Sequence, residues 1–208
     1  MIKGVIFDFD GVIAESVSIK TDAFAELYHS YGEEIINKVV DHHELNGGMS
    51  RFKKIKFYHE SFIKKTIDKE EIEAMAEKFS NLVVDKVINA PYVPGVMNYI
   101  NECFKKYTLF ISTGTPTDEI KQILKGRDIS KYFSEVYGSP EGKTEHLRKI
   151  ITKYGFNNDE LLFYGDSSSD IMAAKNLSIP FILIKNSFNK NIVVSFEGKI
   201  IDNFMELL

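Results

Sequence analysis

The segment Ile2-Lys3-Gly4-Val5-Ile6-Phe7-Asp8-Phe9-Asp10-Gly11-Val12 passes from a short apolar run into two acids one residue apart, then a glycine. Short, rich in β-branched residues and cut off by turn-formers, such a run predicts a buried strand that ends at the acids. Runs of the same kind recur at Thr108–Ser112, Leu161–Gly165 and Pro180–Ile184, with a weaker one at Ser134–Gly138. Helical spacing of apolar residues predicts helices between them, at Val96–Lys105, Asp118–Lys125, Lys143–Tyr154 and Ser169–Asn176. Strands that are apolar on both faces and alternate with helices predict an α/β fold with a parallel sheet covered on both sides. Ile200–Leu208 predicts an edge strand followed by a helical turn.

Residues 16–85 break the alternation. Phe24, Leu27, Tyr28 and Tyr31 follow helical spacing, as do Phe52, Ile55, Tyr58, Phe62 and Ile63, and then Ile72, Met75, Ala76 and Phe79, with no strand signal among them. This predicts a helical insertion, a cap, at 16–85 in a sheet domain made of residues 1–15 and 86–208, with Pro91 and Pro94-Gly95 marking the return to the sheet. In open parallel sheets ligands bind at the carboxyl ends of the strands, so a cap placed after the first strand can close over them.

Composition narrows the function classes. The chain has 208 residues, of which 44% are hydrophobic and 27% charged, so it can build a packed core. Twenty-six basic against 30 acidic side chains leave a net charge of −4, which gives no general attraction to nucleic acid or an anionic membrane surface. No apolar run approaches the ~18 residues of a membrane span. Cys103, the single cysteine, excludes an internal disulfide and a cysteine-based metal cluster, which suits a reducing compartment and predicts a cytoplasmic protein.

Polar residues cluster at the predicted strand ends: Asp8 and Asp10 after the first strand, Ser112-Thr113-Gly114 after the next, Lys143 opening a helix after the weaker one, and Asp166 after Leu161–Gly165, with Asp170 four residues on. Asp8, Asp10 and Asp166 could together hold a hard cation, since Mg²⁺ takes carboxylate and substrate oxygens and neutralises acids that otherwise repel. A carboxylate is also a nucleophile toward phosphorus that needs no base. Lys143, Ser112 and Thr113 are of the type that binds phosphoryl oxygens.

Asp8-Phe9-Asp10-Gly11-Val12, Ser112-Thr113-Gly114, Lys143 and Gly165-Asp166-Ser167-Ser168-Ser169-Asp170 resemble, in order, the four motifs of the haloacid dehalogenase superfamily, and residues 16–85 resemble its small α-helical cap. The resemblance implies a Rossmann-like core with an inserted cap and a phosphomonoesterase that uses Mg²⁺ and an aspartyl-phosphate, acting on a small phosphorylated metabolite such as a phosphosugar or a phosphoglycolate-like acid. Asp8 would be nucleophile and metal ligand. Asp10 would be the general acid and base, its main-chain carbonyl touching the metal. Thr113, with Ser112 and Gly114 beside it, and Lys143 would hold the phosphoryl group. Asp166 would ligate Mg²⁺, and Asp170 would orient the metal shell. The enzyme would be a monomer or homodimer.

Asp10 separates the chain from the dehalogenase branch, which lacks this acid, and leaves phosphatases and phosphomutases. Gly48-Met49-Ser50-Arg51 resembles the Gly-x-Ser-Arg cap loop of the β-phosphoglucomutase relatives, whose arginine binds a distal substrate group, which implies substrate roles for Gly48 and Arg51. Those relatives carry a histidine where this chain has Lys20, which favours hydrolysis over the mutase reading. The rival of another class is a non-catalytic binding protein on the same fold. Lys53, Lys54 and Lys56 read equally well as a solvated helix face, His42 and His43 as structural or solvated, and Cys103 as core.

Overall fold

The structure is a computed structural model describing residues 1–208. Six strands, β1 (Gly4–Phe7), β2 (Thr108–Pro116), β3 (Glu135–Ser139), β4 (Leu161–Gly165), β5 (Phe181–Ile184) and β6 (Lys199–Ile201), form one sheet in the order β3-β2-β1-β4-β5-β6, and all pairs are parallel. β1 lies between β2 and β4, with Phe7 in register with Ile111 and Tyr164, so the three central strands end together. Side-chain alternation divides β1 between two cores. Val5 and Phe7 join a large cluster on one face, and Ile6 joins a smaller one on the other.

Helices complete both layers. The helices α5 (Val96–Phe104) and α6 (Thr117–Gly126) cover the first face through Val96, Ile100, Ile120 and Ile123. The helices α7 (Lys143–Tyr154) and α8 (Ser168–Asn176) cover the second through Leu147, Ile150, Ala173 and Ala174. A short helix, α9 (Lys190–Ser195), lies in a stretch with no amphipathic period and none of its residues is buried, so nothing in the sequence announced it.

Four helices fill the strand-free block: α1 (Val17–Leu27), α2 (Glu33–Leu45), α3 (Arg51–Tyr58) and α4 (Lys69–Asn89). The Asp68/Glu71 capping box starts α4. The helix α2 buries only Val39 and His43, which is why its period is faint. Phe24, Tyr28, Tyr58 and Phe79 pack together, and this aromatic centre is continuous with the large core cluster. The outgoing and returning connections run side by side: Glu15 N–H donates to the Pro91 carbonyl (2.9 Å) and Val93 N–H to the Ile13 carbonyl (3.0 Å). The helical block is thus joined to the sheet through a narrow pair of strand-like linkers above the carboxyl edge.

A candidate phosphoryl-transfer site under the cap

β1 delivers Asp8 to the centre of that edge. Its carboxylate accepts hydrogen bonds from Phe9 N–H (2.6 Å) and from the ammonium of Lys143 (2.5 Å), which begins α7. Lys143 also donates to Asp170 Oδ1 (2.5 Å), and Asp170 Oδ2 accepts from Ser167 N–H (3.1 Å) and Ser167 Oγ–H (2.5 Å), closing a capping box at the start of α8. Asp166, at the end of β4, accepts from the Asn186 amide (2.7 Å), and its carbonyl accepts from Asn189 (2.8 Å). Gly11 is required opposite it: its φ is +76°, and a Cβ there would lie 2.3 Å from Asp166 Oδ2.

Carboxylate oxygens of Asp8, Asp166 and Asp170 lie within 4.8 Å of one another. Burial pushes the Asp8 carboxyl up to about 7 despite Lys143, with Asp170 and Asp10 adding to the rise. Burial also raises Asp166 well above the usual carboxylate range, with Asp8 and Asp170 reinforcing it. Burial disfavours the Lys143 charge, yet Asp170 and Asp8 outweigh it and hold the ammonium above its ordinary range. One lysine among three acids leaves a net negative, all-oxygen cluster, and its donor set fits a hard cation such as Mg²⁺.

The Asp10 side chain stands outside this group. It accepts from Ser16 Oγ–H (2.7 Å), from Thr115 Oγ–H (3.1 Å) and from the Lys20 ammonium, which also donates to Thr115 (2.6 Å). Burial favours its neutral form, but Lys20, Ser16 and Thr115 outweigh burial and hold the carboxyl below the usual range. Lys20, which stands in the sequence where the mutase relatives carry a histidine, is therefore the direct partner of Asp10.

Thr113, Gly114 and Thr115 line the pocket above Asp8, but Ser112 does not. β2 continues to Pro116, so consecutive side chains alternate, and Ser112 faces the opposite layer. This corrects the expectation that Ser112 meets the phosphoryl group. Its Oγ lies 3.0 Å from His146 Nδ1, and His146 Nε2 lies 3.2 Å from the Gly138 carbonyl. A carbonyl only accepts, so Nε2 carries the proton and the Ser112 hydroxyl donates to Nδ1.

Burial and then Lys143 hold the His146 imidazole down at about 4, against an ordinary 6.5. The unfolded chain therefore binds this proton at a higher pH than the folded one. The contribution to stability is complete above pH ~6.5 and is lost as the pH falls toward ~4. Between pH 7 and pH 5 this amounts to about 2 kcal/mol. Urea unfolding of the wild type and His146→Gln at both pH values checks it: the variant should lose about 2 kcal/mol less over the interval. Equal losses would contradict the neutral, buried imidazole.

The helical block contributes the roof. The Gly47-Gly48 loop between α2 and α3 rests on the core: a Cβ on Gly48, whose φ is +76°, would lie 2.1 Å from Ser169 Oγ, and one on Gly114 would lie 2.6 Å from the Gly48 carbonyl oxygen. Gly48 thus sits over Ser167, Ser169 and Lys143, and no side chain would fit there. Arg51 reaches across the gap, but its guanidinium meets Glu119 of α6 rather than standing free for a ligand. Both carboxylate oxygens of Glu119 accept from it, Ser80 accepts a further bond (2.6 Å), and the Phe79 ring lies 4.5 Å from Cζ. Arg51 also lines the pocket beneath it, and its pairing with Glu119 makes it a buried tie between α3 and the core. That pocket, of about 80 Å³, is bordered by Asp8, Asp10, Asp166 and Thr113 below and by Lys20, His43 and Lys54 on the cap side.

The sequence profile of the haloacid dehalogenase-like hydrolases matches residues 5–184. The chain belongs to that family. Among curated relatives, a phosphoglycolate phosphatase of Photorhabdus laumondii is 36% identical over 105 residues, 47% of this chain and 45% of that protein. One of Pasteurella multocida is 28% identical over 154 residues, 69% of this chain and 68% of the relative. The chain thus matches a little under half the length of the first of these. Among solved structures, β-phosphoglucomutase from Clostridium difficile superposes with a TM-score of 0.80 at 21% identity, covering 100% of this chain and 94% of that one. This likeness shows the haloacid dehalogenase α/β fold. No helix is long and apolar enough to cross a membrane.

Proposed function

We propose that this haloacid dehalogenase-family chain is a Mg²⁺-dependent phosphomonoesterase that hydrolyses a small phosphorylated metabolite of the cytoplasm through an aspartyl-phosphate on Asp8, with the helical block at 16–85 acting as the specificity cap. The observation that carries it is the Asp8 carboxylate, held by Lys143 among Asp166 and Asp170 at the floor of a cap-covered pocket.

Asp8, Asp166 and the Asp10 main-chain carbonyl would hold the ion, with Asp170 behind them. Bound there, Mg²⁺ supplies charge neutralisation for the phosphoryl oxygens and keeps Asp8 ionised. Asp8 Oδ attacks phosphorus in line with the ester oxygen. Lys143 and the amides beside Thr113 and Gly114 take up the charge on the equatorial oxygens. The leaving oxygen needs a proton, and Asp10 is the acid in reach. A phosphate dianion placed beside it raises its affinity for that proton, while Lys20 favours its ionised state once the leaving group has gone. Ionised Asp10 then acts as base for the water that attacks the aspartyl-phosphate, releasing phosphate and regenerating Asp8.

Phosphate release from a panel of phosphorylated metabolites tests the reading. Turnover should vanish with chelator and return with Mg²⁺, while Ca²⁺ should not restore it, since its larger and looser shell misplaces the attacking carboxylate. Chelator-insensitive turnover would remove the metal from the scheme. The Gly48-Met49-Ser50-Arg51 loop favours a second reading, a phosphosugar mutase. A mutase would require a bisphosphate activator and return the phosphoryl group to the sugar, whereas the hydrolase needs no activator.

A further inference from the structure

Four cations lie in or beside the pocket, Lys143, Arg51 and Lys54 buried and Lys20 partly exposed, and three have carboxylate partners within the chain. Lys143 has Asp8 and Asp170, Lys20 has Asp10, and Arg51 has Glu119. Lys54 has none. It is 2% exposed, no acid lies within ion-pair distance, and it lines the same pocket as Asp8 and Thr113. Its ammonium has three N–H donors, of which two are matched: His43 Nδ1 lies 2.8 Å away and the His43 carbonyl 3.2 Å. His43 is itself buried and held well below its ordinary range by burial and then by Lys54, so its neutral Nδ1 accepts and anchors the ammonium without cancelling its charge. Burial, reinforced by Lys20 and opposed by Asp10, brings Lys54 itself down to about 7. A buried ammonium with a free donor and no directly paired carboxylate is costly unless an anion arrives from outside.

We propose that Lys54, anchored by His43, is the distal subsite of this pocket, and that the physiological substrate is a short-chain phosphate ester carrying a second anionic group, a carboxylate or another phosphate, which takes the free donor of Lys54. The proposal rests on the phosphatase reading above. It moves substrate recognition from Arg51, whose guanidinium is committed to Glu119, to the next turn of α3. The pocket holds about 80 Å³ and shares Gly47, Gly48, Thr113 and Gly114 with a neighbouring cavity, so a short ester fits it without filling the whole cleft.

The test compares kcat/KM, with Mg²⁺, for three esters of matched length: ethyl phosphate, 2-phosphoglycolate and ethanediol bisphosphate. The wild type should prefer one or both doubly functional esters, and which one identifies the second anion as carboxylate or phosphate. Lys54→Met should reduce that preference, measured as the ratio to ethyl phosphate, by about 10- to 150-fold, mostly through KM, and Lys54→Arg should recover part of it. Methionine keeps the apolar stem and removes an uncompensated buried charge, so the melting temperature should hold or rise. A ratio unchanged by Lys54→Met would overturn the proposal, because a residue that merely supports the cap lowers all three rates together. A wild type with no preference for a second anion would overturn it as well. If no ester is hydrolysed, the phosphatase reading fails and the subsite is still read by calorimetry: in the wild type, 2-phosphoglycolate or the bisphosphate should bind more tightly than ethyl phosphate, and Lys54→Met should erase the difference. A difference that survives the substitution would overturn it.

Discussion

Asp8→Asn is expected to lower kcat by at least ~10⁴-fold, about 5 kcal/mol of barrier, while the protein stays folded. The amide is nearly isosteric but is a poor nucleophile toward phosphorus, and it removes one charge from the cation site. Stability should respond in the opposite sense from activity. Burial already pushes the Asp8 carboxyl up to about 7, so the native state bears a cost for ionising it at neutral pH, and Lys143 keeps Asp170 as a partner when Asp8 is replaced. Thermal melts without metal should therefore show Asp8→Asn at or above the wild-type midpoint, alongside a collapsed rate in the phosphate-release assay. A variant retaining a tenth of wild-type kcat would take the nucleophile's role from Asp8.

Lys143→Met should damage both stability and rate. Lys143 is the only cation paired with Asp8 and Asp170, and all three side chains are buried. Removing one partner from a buried ion network leaves charge without compensation, at a cost of about 3–5 kcal/mol. The variant should therefore melt well below wild type, and added Mg²⁺ should recover more stability than it does in the wild type, because ligands that bind only the native state stabilise it by mass action. kcat should fall by ~10²–10³-fold even with saturating Mg²⁺, as expected when one oxyanion-stabilising donor is lost. Equal metal-induced stabilisation in wild type and variant would show that Lys143 and the metal do not share the acids.

Local pattern made much of this molecule legible. Leu161–Gly165 and Lys143–Tyr154 coincide with β4 and α7, and the acids at strand ends do converge, because a parallel sheet brings every carboxyl end to one edge. What escaped was carried by contacts distant in sequence or by chain direction. Glu119 stands 68 residues from Arg51, and no local spacing signals that pair. Lys54 sits in a run of basic residues that reads as a wet helix face, and only the fold of α2 over α3 buries it against His43. Ser112 is different, since its signal was present: a strand continuing through Thr113 and Thr115 must send alternate side chains to opposite layers, and His146 waits on the far one. Lys20 lay one helical turn beyond Ser16, close enough along the chain to have been tied to Asp10, yet its role appears only when Thr115 closes the arrangement from β2.

The covalent intermediate is the centre of the account, and trapping it tests the account most directly. Wild-type protein turning over its best phosphate ester with Mg²⁺ is quenched in acid, reduced with borohydride, which converts an acyl phosphate to an alcohol, and digested for peptide mass spectrometry. The account predicts homoserine at position 8, and at no other acid, in amounts that fall to background with Asp8→Asn or with chelator. Active turnover that leaves position 8 as aspartate while another residue carries the label would contradict it.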